Sequence, residues 1–233
     1  MMAAVIIPVY NHGGRIGEVI RQARSLDLPI IVVDDGSTDT TSAILSNLTE
    51  ISVIRHPVNQ GKGAALLSGF AAALAQNCNW AITIDGDGQH NPEDARLLLQ
   101  AAAQAGRTLV VGRREGMAGK NVPWTSRFGR GFSNFWVWVS GGPFIKDSQS
   151  GFRLYPLPES LYLNVKARRY QFEVEILVRA RRRGIAIIEA PVQVVYQDRG
   201  ERVSHFRPWV DFWRNSSTFC RLIFLRIFGI FLR

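Results

Sequence analysis

"WAITIDGDGQHNPED", Trp80 to Asp94, carries three local signals in one short stretch. The apolar run Trp80–Ile84 has the length and side-chain character of a buried strand. Two carboxylates, Asp85 and Asp87, follow it directly, each with a glycine after it. Asn91, Pro92, Glu93 and Asp94 then have the order expected of an N-cap, a first helical position and an acidic first turn. A strand that ends in polar residues and passes into a helix is the repeating unit of a parallel α/β sheet.

The unit recurs on both sides. Upstream, "AVIIPVY", "IIVV" and "ISVI" read as strands, with "RIGEVIRQARSL", "TSAILSNL" and "GAALLSGFAAALAQ" as the helices that follow them; downstream come "EDARLLLQAAAQA" and "LVVG". Strict alternation predicts an α/β fold with a doubly wound, mostly parallel sheet. The second half is less regular: a basic, aromatic segment "RFGRGFSNFWVWVS", a turn-rich "IKDSQSGFRLYP", a helix "FEVEILVRARRRG" and a strand "AIIEAPVQVVY".

Open α/β sheets bind ligands outside the carboxyl ends of their strands. Here those ends carry "PVYN", "DDGSTD", "RHPVNQGKG" and "DGDGQH", so polar and glycine-rich residues gather on one rim. Two nucleotide folds are disfavoured at this point. No G-x-G-x-x-G follows the first strand, and "NQGKGAA" lacks P-loop spacing.

Bulk properties narrow the class further. The chain has 233 residues, 46% of them hydrophobic and 20% charged, enough for one domain without disulfide staples and too apolar for extended disorder. Cys78 and Cys220 form no C-x-x-C pair, which argues against a zinc site. The formal charge of +9 points to anionic partners. "MMAAVIIPVYN" reads as a first strand and not as a leader, so a cytoplasmic protein is expected.

Carboxylates at i and i+2 of an extended segment face the same side, and magnesium or manganese takes oxygen ligands. Asp85, Asp87 and Gln89 are therefore the candidate metal site, with Gly86 and Gly88 expected to lend the backbone freedom to wrap them around an ion. Asp34 and Asp35 close a strand, where they could accept from a nucleotide base or a ribose. Asp39 is expected to cap the next helix.

In series, "IPVYN", "VVDDGSTD", "NQGKGAAL", "IDGDGQHNPED", "DSQSGFR" and "FEVEIL", from Val5 to about Tyr196, resemble the family 2 glycosyltransferases with the GT-A fold. They resemble in particular the branch of dolichyl-phosphate mannose synthases and polyprenyl-phosphate glucosyltransferases. The resemblance implies a nucleotide site at Pro8, Tyr10, Asn11, Asp34 and Asp35, and a ribose or diphosphate contact at Lys62 and Asp85. It implies Mg2+ or Mn2+ at Asp87 and Gln89, with Asp85 beside them. Arg113, after the fifth strand, and Arg127, Arg130, Arg199, Arg202 and Arg207 further on would hold an acceptor phosphate. Where that branch often reads "DADLQHPPE", this chain has glycine at both spacers. His90 and His205 read as loop or phosphate-contact residues.

The implied reaction is inverting transfer of a hexose from a GDP-mannose or UDP-glucose type donor to a polyprenyl phosphate at the cytoplasmic membrane surface, with Asp87, Arg127 and Arg202 carrying it. The alternatives are a hydroxyl acceptor on a glycan or lipid, or a non-catalytic nucleotide-sugar-binding scaffold at a membrane. No nucleic-acid partner is implied. Glu173 and Glu175, two apart on a predicted helix, cannot share one face, so at least one is expected to be structural.

Residues 1–207 are read as the catalytic domain and 208–233 as a helical tail. In the tail Phe224, Phe228 and Phe231 share a face, and Arg221 and Arg226 interrupt the apolar run. That pattern suits an interfacial helix better than a spanning one. Packing on the core or in a homo-oligomer is the alternative.

Overall fold

The computed structural model describes residues 1–115, 124–194 and 208–229, the side chains of 124–128 and 208–211 excepted. β1 (Ala3–Val9), β2 (Ile30–Asp34), β3 (Ser52–Arg55), β4 (Trp80–Thr83), β5 (Thr108–Arg114), β6 (Arg153–Pro156) and β7 (Ala186–Val192) form one sheet in the order β3-β2-β1-β4-β6-β5-β7. All pairings are parallel except the two made by β6. The doubly wound, mostly parallel reading stands, with one short reversed strand that periodicity did not announce.

Strand geometry sends alternate residues to opposite faces, and β1 shows why its whole run is apolar. Ala4 and Ile6 join the core on one side of the sheet, while Ala3, Val5, Ile7 and Val9 join the core on the other. The second face is covered by α1 (Gly13–Ala23), α2 (Thr41–Ser46) and α4 (Ala95–Ala105). In α1 the buried Ile16, Val19, Ile20 and Ala23 keep helical spacing. The first face is covered by α3 (Lys62–Ala75), α6 (Phe172–Arg182), α5 (Trp124–Val139) and α7 (Pro208–Ile227).

Two expected caps are present. Asn91 accepts from the Glu93 N–H at 3.2 Å ahead of α4. Asp39 accepts from the first residue of α2, Thr41 N at 2.9 Å, and from the first residue of α1, Gly13 N at 3.0 Å. One carboxylate thus serves two helix N-termini.

The strand order reverses beside β1, which pairs with β2 on one side and β4 on the other. A crevice at the carboxyl ends is the geometric result. Because β6 runs antiparallel to β4, the "DSQSG" turn that enters it arrives at the same rim.

Candidate functional site

The rim residues assemble around a partly buried cation. Nζ of Lys62, on the first turn of α3, is 2.7 Å from Asp85 Oδ1 and 2.5 Å from Glu173 Oε1. Asp85 Oδ1 is buried, and the Lys62 ion pair is the contact that compensates it. Burial alone would lower the lysine pKa, but the two carboxylates outweigh it and hold the ammonium well above its ordinary range. For Asp85, burial opposes ionisation and Lys62 outweighs it, so the carboxyl titrates below its ordinary value.

Gly151 makes this pair possible. A Cβ there would lie 2.5 Å from Asp85 Oδ2 and 2.6 Å from Lys62 Nζ, closer than real contacts allow. Thr83 fixes the approach by donating its hydroxyl to the Gly151 carbonyl at 2.6 Å. Gly151→Ala is expected to leave the fold intact and lower turnover by about 10²-fold, the scale of a misplacement near 1 Å. Comparing melting curves with kcat checks this, and wild-type kcat would refute it.

Asp87 Oδ1 accepts from Gln89 N at 3.0 Å, closing a small turn that keeps the Asp87 side chain at the rim. Gly88 takes a left-handed φ of 72° and Gly86 does not. Gly86 instead serves close approach, its Cβ position lying 3.4 Å from the Pro8 carbonyl. The expectation that both glycines supply unusual angles is corrected to one.

The donor set fits a hard divalent cation. Asp85 offers a buried oxygen that meets only the Lys62 ammonium, Asp87 offers a half-buried one, and magnesium is commonly held by one or two carboxylates plus phosphate oxygens of the substrate. Among the described residues no three His, Cys, Asp or Glu side chains form a ready cluster, so Gln89 or a ligand would complete the shell.

Asp34 and Asp35 sit at the end of β2 with protein donors already on them. Asp34 accepts from Ser37 N at 2.9 Å and Ser42 Oγ at 2.5 Å, while Asp35 accepts from Gln60 N at 2.9 Å and Gly61 N at 2.7 Å. His56 Nδ1 lies 2.7 Å from Asp35 Oδ1. They build the loops that frame the crevice. Asn11, at a left-handed φ of 53°, ties the end of β1 to the same region by accepting from Thr38 N at 2.8 Å. Pro8 is buried and Tyr10 half-buried on the neighbouring segment.

Arg113 reaches Glu115 at 3.0 Å. Its neighbour Arg114 grips Asp147 of the "DSQSG" turn through Nε and a terminal nitrogen, both at 2.8 Å. Arg130 is half-buried on α5. Arg199, Arg202, His205 and Arg207 lie outside the described residues, as does the side chain of Arg127.

Sequence reading gave no role to Arg114 or Gly151, and read His90 as a loop residue. His90 is buried beside Phe152, with Nδ1 unpartnered. Burial pushes its pKa down to about 4, Arg114 and Lys62 adding to the effect and Asp85 opposing it. The unfolded chain therefore takes up this proton first. Stability is present in full above about pH 6.5 and falls as pH drops toward 4. Urea denaturation at pH 7 and pH 5 should show wild type losing about 2 kcal/mol more than His90→Gln, and equal losses would contradict it.

A family model described as Glycosyl transferase family 2 matches residues 4–157, most of the chain. The chain belongs to glycosyltransferase family 2. This family 2 glycosyltransferase is 31% identical over 215 residues to the UDP-N-acetylglucosamine–dolichyl-phosphate N-acetylglucosaminyltransferase of Methanococcus voltae, covering 83% of this chain and 86% of that one. It is 30% identical over 212 residues to the polyprenol monophosphomannose synthase of Mycolicibacterium smegmatis, covering 84% and 78%. In fold it is similar to mannosyl-3-phosphoglycerate synthase from Rubrobacter xylanophilus, with a TM-score of 0.66 at 17% identity over 100% of this chain and 76% of that one. It is also similar to residues 1–349 of Staphylococcus aureus TarS solved with UDP-GlcNAc, with a TM-score of 0.59 at 17% identity over 95% and 66%. The fold is that of the GT-A glycosyltransferases.

Proposed function

We propose that this glycosyltransferase moves a hexosyl unit, with inversion, from a nucleotide diphosphate sugar of the GDP-mannose or UDP-glucose type to a polyprenyl phosphate at the cytoplasmic face of a membrane. The observation that carries the reading is the state of the carboxylates around the crevice. Glu173 is paired with Lys62, and Asp147 with Arg114. Glu175 is fully buried and accepts from Lys166 N, Ala167 N, Arg179 and Arg221. Each is committed to a cation or to backbone N–H groups, so none of the three stands free as a general base.

A hydroxyl acceptor needs such a base. A phosphomonoester, with a second pKa near ~6, arrives already ionised at neutral pH and needs placement and charge compensation instead. The names of the M. voltae and M. smegmatis relatives, which specify dolichyl phosphate and a polyprenol monophosphomannose product, support the same choice.

In this reading Pro8, Tyr10, Asn11, Asp34 and Asp35 frame the nucleotide, and Lys62 faces the diphosphate. Asp85, Asp87 and Gln89 hold Mg2+ or Mn2+, and Arg113, Arg127 and Arg202 receive the acceptor phosphate. A divalent cation at these carboxylates would neutralise the leaving nucleoside diphosphate.

Membrane contact is assigned to α5 and α7. Phe135 and Trp138 of α5 and Trp213, Phe224 and Ile227 of α7 are all more than half exposed. Among the described residues no helix is long and apolar enough to cross a membrane, so the contact proposed is peripheral.

The test is a panel of GDP- and UDP-sugars assayed with a polyprenyl phosphate and with the matching polyprenol. Product with the phosphate alone, at a rate nearly flat above pH 7, is the expected result. Product with the alcohol, or a log-linear rise of rate with pH, would transfer the reading to a hydroxyl acceptor.

A further inference from the structure

α7 has three distinct sides. Phe219 and Leu222 enter the core, and Arg182 on α6 donates to the Leu222 carbonyl at 2.8 Å. Roughly opposite, at about 100° per residue, stand the exposed Trp213, Phe224 and Ile227. Between these sides, Arg214, Ser217, Thr218 and Arg221 form one wall of a cavity of about 580 Å³, whose other wall is the segment from Lys166 to Gln171.

Five basic side chains line this space: Lys166, Arg168, Arg169, Arg214 and Arg221. Among the described residues no acidic side chain lines it. The buried carboxylate that touches its lining residues Lys166, Ala167 and Arg221 is Glu175, which is spent on Arg179, Arg221 and the N–H groups of Lys166 and Ala167. Those bonds fix both walls, because Glu175 joins the loop to α7 through α6. Asp85, Asp87 and Gly151 do not line the cavity.

We propose that this cavity seats the phosphate headgroup of an anionic phospholipid. The inference rests on the peripheral membrane reading above and names the lipid chemistry it requires. Arginine forks match phosphate oxygens, and an interfacial helix with aromatics on its outer side gains further from cations that meet the headgroup layer. Placement of the cavity on the flank of the aromatic stripe favours a lipid over a free phosphate: Trp213, 70% exposed, adjoins Arg214 in sequence and Ser217 on the helix surface. Headgroup and acyl boundary would then be met by adjacent sides of one helix.

The test uses phosphatidylcholine vesicles with and without phosphatidic acid, and two double variants of the full chain. Lys166→Gln/Arg168→Gln alters the cavity, while Arg181→Gln/Arg183→Gln removes the same charge from the far end of α6. Partition onto phosphatidic acid vesicles should fall roughly tenfold for the cavity variant and much less for the control, with melting curves near wild type for both. Equal losses would mean diffuse surface charge and overturn the proposal. Inorganic phosphate titrated without vesicles separates the other source: if it binds wild type, fails on the cavity variant, and both still partition alike, the cavity takes free phosphate and the lipid assignment is wrong. Vesicle binding is read independently of turnover, so a failed acceptor assay leaves this result standing.

Discussion

Asp87→Asn is expected to cut donor turnover by ~10³-fold while the chain folds normally. The expectation rests on what the substitution keeps. Asp87 Oδ1 accepts from Gln89 N at 3.0 Å, and an asparagine oxygen can accept the same bond, so the turn after β4 should survive. What goes is the negative charge on the proposed ligand to a hard cation, and with it, in that proposal, the compensation of the leaving diphosphate. Manganese affinity, measured by magnetic resonance with a nucleoside diphosphate present, should fall in parallel, which separates loss of metal from loss of a chemical step. Wild-type turnover in the variant, or full activity of the native enzyme in chelator, would remove the metal role from this residue.

The parts of this site that sequence could reveal are those built from neighbours. Strand β1 announces itself because both of its faces are buried, and the Asn91 cap because its partner is Glu93, two residues on. The rim was legible for the same reason: each polar cluster follows its own strand. Contacts that cross the chain left no local signal. Lys62 and Glu173 are 111 positions apart, and Gly151 reaches Asp85 only because the four-residue β6 inserts between β4 and β5. Periodicity over so short a strand carries little information.

The tail shows the same limit in a milder form. Aromatic spacing suggested either an interfacial or a packed helix, and Phe219 and Leu222 do enter the core while Trp213 and Phe224 stay outside. Both patterns fit on one helix because its circumference has room for two stripes. Truncation after Arg214 would therefore open the core as well as remove the outer aromatics, so surface substitutions are the sharper probe of membrane contact.

Lys62→Met is expected to damage both stability and turnover, and a second substitution should pull the two apart. The ammonium is the shared partner of Asp85 and Glu173. Removing it strands two carboxylates, and breaking a buried pair in this way costs about 3–5 kcal/mol. The lower end applies here, because the Asp85 side chain is 24% exposed and water can reach it. Turnover should drop by ~10²-fold or more if, as proposed, Lys62 is the cation that the donor diphosphate faces. Glu173→Gln alone is milder: the amide oxygen still accepts from Nζ, and at least a tenth of wild-type turnover should remain. In Lys62→Met/Glu173→Gln the more buried of the stranded charges is gone, so denaturant titration should show part of the stability restored. Turnover should stay as low as in Lys62→Met, because a neutral glutamine returns no cation to the crevice. If Glu173→Gln instead loses as much turnover as Lys62→Met while remaining stable, Glu173 is taking a proton, and the acceptor is a hydroxyl.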